Sequence, residues 1–174
     1  KKIIKDELNL LNKTIQNSNL QFSIHGSMSV NLLDEEYLSD HLEVLRKEIE
    51  VCSALNVNIL VTHFGHTPVE VSKNHQKYKD LINIQNEEYF KIAEVAKQNG
   101  VKLCIENIFP YTNLHFTALP SEVSKNISEI NHPNARTTID FSHAYINCNL
   151  RKKDLISELE TMVPFTEHLH IHDS

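Results

Sequence analysis

Amphipathic helical stripes alternate with short apolar runs along the whole sequence, and this alternation constrains the fold most. Helices are predicted where apolar side chains recur every three or four residues, at 4–16, 35–55, 89–96, 121–130 and 155–163. Strands are predicted at 21–25, 58–63, 101–106, 136–140 and 166–172. The pattern is typical of βα units and predicts one α/β domain, residues 1–174, built on a parallel sheet.

Two longer connections interrupt this pattern. Residues 65–83 have mixed charge, Pro68 and weak periodicity, so we expect a long loop with at most a helical turn. A second long loop is predicted between 107 and 120. Gly100 stands where the C-terminal cap of the preceding helix belongs. His75 and His115 fall in these two connections, and His132 falls in the short loop after residue 130; all three are expected to be solvated.

Each predicted strand ends on a residue that can bind a metal or carry a proton. These residues are His25, His63, Glu106, Asp140 and His170. The carboxyl ends of parallel strands share one edge of the sheet, where α/β proteins build their sites. Side chains alternate between the faces of a strand, so the more apolar face of each strand is expected to pack on helices. The end residues would then point into a common interior.

Imidazoles and carboxylates on one rim predict a site for a divalent cation such as zinc, manganese or cobalt. A single histidine at a strand end could equally be a hydrogen-bonded rim residue. His143 could be a further ligand or a rim residue, and His172 or Asp173 could support His170 through a hydrogen bond. His66, Asn107 and His172 are candidate substrate-binding residues.

Composition excludes several other classes of protein. Lys and Arg number 17 against 23 Asp and Glu, a net charge of −6 that disfavours a nucleic-acid-binding surface. No apolar run would span a membrane, and the start lacks the apolar core of a secretory signal. Three scattered cysteines do not form a disulfide framework, so a cytoplasmic location is expected. Three glycines leave no phosphate-binding loop and no nucleophile elbow.

The strand-end motifs, taken in order, resemble those of one known superfamily. They are Ser23-Ile24-His25-Gly26, Val61-Thr62-His63-Phe64-Gly65, Leu103-Cys104-Ile105-Glu106-Asn107, Ile139-Asp140-Phe141-Ser142-His143 and His168-Leu169-His170-Ile171-His172-Asp173. This order and spacing look like the xylose-isomerase-like TIM barrels. That superfamily includes sugar-phosphate isomerases and epimerases, ketose 3-epimerases and abasic-site nucleases of the endonuclease IV class. The resemblance runs from about residue 20 to the end of the sequence.

The resemblance implies a parallel (β/α) barrel of TIM type that is incomplete in this sequence. A full barrel has about eight strands and roughly 250 residues, whereas only about five βα units are present in the 174 residues. The first, seventh and eighth strands have no counterpart, nor has the glutamate that would complete the metal site. We expect either a fragment of a longer chain or a partner that supplies the remainder.

The same resemblance implies an enzyme that binds a divalent metal through Glu106, Asp140 and His170. The favoured activity is that of an isomerase or epimerase, in which a proton moves next to the carbonyl of a sugar or sugar phosphate. Glu106 would be both metal ligand and acid/base group. Zinc or manganese is the expected metal, with cobalt or magnesium as alternatives. The protein is expected to have no membrane partner and could form a homo-oligomer.

An abasic-site DNA nuclease with a multi-zinc cluster is the alternative function. His25, His63 and His143 match its additional ligand positions. The segments that follow these ligands depart from the nuclease pattern, because His63 is followed by Phe64-Gly65-His66 and Glu106-Asn107 by Ile108-Phe109-Pro110. A nucleic-acid partner is therefore disfavoured. A barrel relative that binds a ligand without catalysis is a third alternative.

Overall fold

The computed structural model describes residues 2–110 and 113–172. The helices are α1 Lys2–Gln16, α2 Leu38–Ala54, α3 Val69–Ser72, α4 His75–Gln98, α5 Pro120–Ile130, α6 Phe141–Arg151 and α7 Leu155–Met162, with a 3-10 turn at Val163–Phe165. The strands are β1 Ile24–His25, β2 Ile59–His63, β3 His66–Pro68, β4 Lys102–Glu106, β5 Leu114–Phe116, β6 Ala135–Asp140 and β7 Thr166–His170. None of these helices combines the length and the apolar character needed to cross a bilayer.

Five of the strands form one parallel sheet in the order β1-β2-β4-β6-β7. Within this sheet, the strands follow one another in the order of the sequence, as in a β/α barrel. The register pairs His63 with Glu106 and Asp140 with His170, whereas His25 pairs with Val61 and Glu106 with Thr138. The strand ends therefore lie along one edge with a stagger of two residues at two of the four strand pairs. The structure therefore confirms the predicted α/β fold, an incomplete barrel of TIM type.

The main core lies between the outer face of the sheet and the helices. Leu60, Leu103 and Ile139 point into it from three strands and pack with helix residues such as Leu45 and Ile92. Neighbouring residues on the strands, Val61 and Cys104, are buried but lie outside this core, on the inner face. The alternation expected from the sequence is confirmed, and it places His63 and Glu106 on the inner face with them.

The prediction of a long loop at 65–83 is wrong. This stretch contains β3, α3 and the start of α4, and β3 pairs antiparallel with β5 from the second predicted loop. Helix α4 begins at His75 because the side chain of Asn74 caps it, accepting a hydrogen bond from the backbone N–H of Lys77 at 3.1 Å. Its buried face includes Gln85 and Asn86, and these polar residues conceal the helical periodicity.

Helix α6 was not predicted either, because its pattern of apolar residues is also misleading. Its solvent-facing side includes Tyr145 and Leu150, whereas the polar Asn147 is fully buried. The side chain of Asn147 donates hydrogen bonds to the carbonyls of Ile108 and His143, at 2.8 and 2.9 Å. This helix exposes apolar side chains and buries a polar one, which is the reverse of the usual amphipathic pattern.

Three histidines predicted to be solvated have defined places in the fold. His75 is exposed at the start of α4, and His115 lies within β5. His132 is buried rather than solvated, with its Nε2 atom 2.7 Å from the Oε1 atom of Glu94. The pair ties the connection before β6 to α4.

Replacing a core leucine of the central strand should destabilise the protein far more than replacing a leucine of the edge strand. Leu103→Ala removes a fully buried side chain and should lower the free energy of unfolding by about 2 to 5 kcal/mol. Leu169→Ala, at a position that is 48% exposed on β7, should cost less than about 1 kcal/mol. Urea denaturation of both variants measures the difference, and equal losses would contradict this packing.

Candidate metal centre

Glu106 is the centre of a cluster of histidines at the carboxyl edge of the sheet. Its carboxylate is 2% exposed. The Oε2 atom lies 3.1 Å from Nε2 of His63 and 3.4 Å from Nε2 of His25. The Oε1 atom lies 3.0 Å from Nδ1 of His170 and 3.2 Å from Nδ1 of His143. Each carboxylate oxygen thus faces two imidazoles, and the four imidazoles come from three strand ends and from the first turn of α6.

Asp140 provides the second carboxylate and also begins helix α6. Its Oδ1 atom accepts a hydrogen bond from the backbone N–H of His143 at 2.8 Å, which makes Asp140 the N-cap. Its Oδ2 atom lies 2.9 Å from Nε2 of His172, 3.6 Å from Nδ1 of His143 and 3.8 Å from Nδ1 of His170. One oxygen therefore fixes the backbone while the other faces the cluster.

Asn107 clamps the ends of β4 and β6 together. Its fully buried side chain accepts a hydrogen bond from the backbone N–H of Asp140 and donates one to the carbonyl of Asp140, both at 2.9 Å. The carbonyl of Asn107 lies 3.0 Å from Nδ1 of His143. These contacts give Asn107 a structural role next to two candidate ligands, and its contact with substrate stays a prediction.

His66 and Asp173 stand apart from this arrangement. The ring of His66 stacks on Phe116 with 4.7 Å between ring centroids, and its backbone N–H donates to Oδ1 of Asn31 at 2.9 Å. It lines a separate cavity of about 480 Å³ together with Asp34. Its role in substrate binding is therefore still a prediction, and Asp173 lies outside the described residues. His172 does lie in the cluster, although β7 ends two residues earlier, at His170.

The charges of the cluster stabilise one another. Burial raises the pKa of Glu106, but hydrogen bonds from His143, His25 and His63 outweigh it and hold this pKa far below its usual value. The hydrogen bond to Glu106 raises the pKa of His25. Burial lowers the pKa of His143, but Glu106 and Asp140 outweigh it, so the net shift is upward. Positive charge on His25 or His143 and negative charge on Glu106 therefore favour each other.

The donor atoms fit a divalent cation. Among the residues that the structure describes, three groups have ligand atoms that all lie within 4.8 Å of one another: His25, His63 and Glu106; Glu106, Asp140 and His170; and Asp140, His143 and His172. Imidazole nitrogens and carboxylate oxygens are the usual ligands of zinc, and carboxylates suit manganese and magnesium. Every strand-end residue singled out from the sequence belongs to at least one group.

Glu48 of α2 supports the turn after β1 and was not predicted from the sequence. Its Oε1 atom accepts a hydrogen bond from the backbone N–H of Ser27 at 2.6 Å. A side chain at Gly26 would bring its Cβ atom to 2.7 Å from Oε2 of Glu48, so only glycine fits without a shift. Glu48 thereby helps to orient His25, and a glutamate within a helical stripe gives no local signal of this role.

Comparison with known proteins agrees with this architecture. The sequence is 22% identical, over 162 residues, to an uncharacterized protein of Methanocaldococcus jannaschii; the match covers 91% of this chain and 58% of that protein. Similar solved structures include a D-tagatose 3-epimerase-like protein (20% identity, TM-score 0.79, 97% of this chain and 62% of that one). Another is a putative xylose isomerase from Rhodospirillum rubrum (18% identity, TM-score 0.80, 94% and 58%).

A third is a 3-keto-D-glucoside 4-epimerase from E. coli (15% identity, TM-score 0.76, 97% and 65%). At these identities the likeness to solved structures shows the fold. The chain spans less than two thirds of the length of each of these relatives. A family model described as xylose isomerase-like TIM barrel matches residues 1–174. The chain therefore belongs to the xylose isomerase-like TIM barrel family.

Proposed function

We propose that this chain carries the metal site of an isomerase or epimerase that acts on a sugar or sugar phosphate. The proposal depends on a single observation. The ligand atoms of Glu106, Asp140 and His170 lie within 4.8 Å of one another. These residues form the group that includes both buried carboxylates of the cluster. The sugar epimerases among the similar structures support the substrate class.

Charge favours this group as the primary cation site. Glu106 and Asp140 are 2% and 1% exposed, and together they carry the two negative charges that a divalent cation would balance. Oxygen-rich sites suit manganese and magnesium, and added imidazole suits zinc and cobalt. We expect zinc or manganese, with cobalt or magnesium as alternatives.

A divalent ion held there would act as a Lewis acid and stabilise negative charge that develops on a carbonyl oxygen. Side chains of the protein keep Glu106 ionised and Asp140 in position. The lowered pKa of Glu106 keeps its carboxylate ionised, which suits a ligand better than a proton carrier. Its second role as an acid/base group stays a prediction. Asn107 holds the backbone of Asp140, so the two carboxylates keep their spacing.

One observation favours the abasic-site nuclease as a second candidate. His25, His63 and His143 also lie against Glu106, at 3.4, 3.1 and 3.2 Å, where a multi-metal cluster would need them. A barrel relative that binds a ligand without catalysis is the remaining alternative. Cytoplasmic location and a homo-oligomeric state also stay predictions.

Metal content and activity of the full-length protein separate these functions. Elemental analysis should give one divalent ion per chain together with activity on a panel of ketoses. His63→Gln should leave that content unchanged, because His63 is outside the proposed ligand group. Loss of one ion in His63→Gln, together with cleavage of a duplex that contains an abasic site, would instead establish the nuclease. Absence of both activities from a fully loaded protein would favour the non-catalytic alternative.

Glu106→Gln should reduce the affinity for Zn²⁺ or Mn²⁺ by at least about tenfold. The change removes the central negative charge, and loss of a single good ion-ligand contact is worth more than about 1.4 kcal/mol. Glu94→Gln is the matched control, because Glu94 also pairs with a histidine but lies away from the cluster. Calorimetric titration measures both variants, and unchanged binding in Glu106→Gln would contradict the proposed site.

Metal affinity should fall as the pH is lowered, and the fall should begin above pH 6.5. His25 and His143 face the proposed ligand Glu106, and their pKa values are raised above the usual 6.5. Their protons would repel a cation bound there and be released as it binds. Protons therefore compete with the metal already near neutral pH. Calorimetry in two buffers of different ionisation enthalpy counts the protons released. Uptake of metal without proton release at about pH 7 would contradict this balance of charges.

A further inference from the structure

We propose that a cavity beside the carboxyl edge of the sheet binds a short aliphatic diamine. The cavity has a volume of about 480 Å³ and lies between the loop after β1, the β3–β5 hairpin, α3 and α4. Small-molecule sites usually have volumes of about 300 to 1,000 Å³. Its wall and the three ligand groups of the metal cluster share no described residue, so this inference does not depend on the proposed function.

Charged side chains give the wall of this cavity a net negative charge. Asp34, Glu35 and Glu36 line it, against a single lysine, Lys77. The Nζ atom of Lys77 lies 3.5 Å from Oε2 of Glu35, so Lys77 balances one of the three carboxylates. Burial lowers the pKa of His66, which therefore adds no positive charge near neutral pH. Two negative charges remain, and a ligand with two ammonium groups would balance them.

One carboxylate oxygen of Asp34 is available to such a ligand. Its Oδ1 atom accepts hydrogen bonds from the backbone N–H groups of Glu36 and Tyr37, at 3.1 and 3.3 Å. Its Oδ2 atom lies 3.9 Å from Nε2 of His41, which is too far for a hydrogen bond. One oxygen therefore fixes the loop before α2, while the other can accept a hydrogen bond from a bound cation.

The remainder of the wall is mainly apolar. The apolar side chains that line the cavity are Leu33, Pro68, Val71, Leu81 and Leu114. A hydrocarbon chain between two ammonium groups would remove some of this surface from water, which is favourable. An inorganic cation would leave the same surface uncovered. Negative charge beside an apolar wall therefore favours an organic diamine over a metal ion.

Thr67 supplies a buried hydroxyl group to the same wall. The ring of His66 stacks on Phe116 on one face of the hairpin. Side chains alternate along a strand, so Thr67 is on the other face, with its pairing partner His115, which packs on Tyr78 of α4. Thr67 lines the cavity and is 3% exposed, and its Oγ1 atom has no hydrogen-bond partner in the described part of the chain. A buried hydroxyl without a partner is unfavourable, and it could accept a hydrogen bond from an ammonium group.

Calorimetric titration of the full-length protein, stripped of metal, tests this proposal with diaminobutane as the probe. The protein should bind one equivalent. Butylamine has one ammonium group fewer and should bind at least about threefold more weakly. Butanediol has the same length without charge and should show no measurable binding. Added salt should weaken the binding of diaminobutane, because the charges of the wall are partly exposed.

Two variants locate the diamine, and a third is the matched control. Glu35→Gln removes one exposed negative charge and should weaken binding at least about threefold. Thr67→Val should weaken binding by a similar factor without lowering the thermal midpoint of the free protein, because this hydroxyl has no partner to lose. Glu70→Gln should bind like wild type, because Glu70 pairs with Lys73 as Glu35 pairs with Lys77 but does not line the cavity.

The opposite results would overturn the proposal. Equal binding of diaminobutane and butanediol would exclude the role of charge, and unchanged binding in Glu35→Gln would exclude this wall. A lower thermal midpoint with unchanged binding in Thr67→Val would give the hydroxyl a structural role only. Loss of binding in Glu106→Gln, with none in Glu35→Gln, would place the diamine at the metal centre and leave the proposed function intact. Glu35→Gln changes an exposed side chain, so it tests the site even where Thr67→Val does not fold.

Discussion

The burial of the Glu106 carboxylate is the interaction on which the rest of this structure depends. An ionised carboxylate removed from water is strongly destabilised unless charges and hydrogen bonds compensate. Here four imidazoles lie within 3.4 Å of its oxygens. They come from the ends of β1, β2 and β7 and from the first turn of α6, so the compensation exists only when these elements are in register. The fold and the site therefore require each other.

Asp140 and Asn107 connect the cluster to the backbone through hydrogen bonds. The ladder between β4 and β6 would end at Glu106, but the side chain of Asn107 continues it by bonding both backbone groups of Asp140. The carboxylate of Asp140 then starts α6, which brings His143 back to Glu106. A residue predicted as a substrate contact thus acts as an extension of the sheet.

The sequence predicts this site well where the signal is periodic and poorly where it depends on tertiary contacts. Strand ends one βα unit apart, combined with the alternation of faces, are sufficient to bring Glu106, Asp140 and His170 together. Gln85 and Asn147 are buried and use one end of their amides in contacts distant in sequence, with the backbone N–H of Gly65 and the carbonyl of Ile108, so the apolar pattern is interrupted around them. The predicted strand 166–172 puts His172 on the same face as His170, and His172 does lie in the cluster, although β7 ends at His170.

Protons and a divalent cation have the same role in this cluster, because each would balance the buried negative charge of Glu106 and Asp140. The hydrogen bond between His25 and Glu106 contributes to both pKa shifts. It raises the pKa of His25 and lowers the pKa of Glu106. One divalent ion would neutralise Glu106 and Asp140 completely and release the protons.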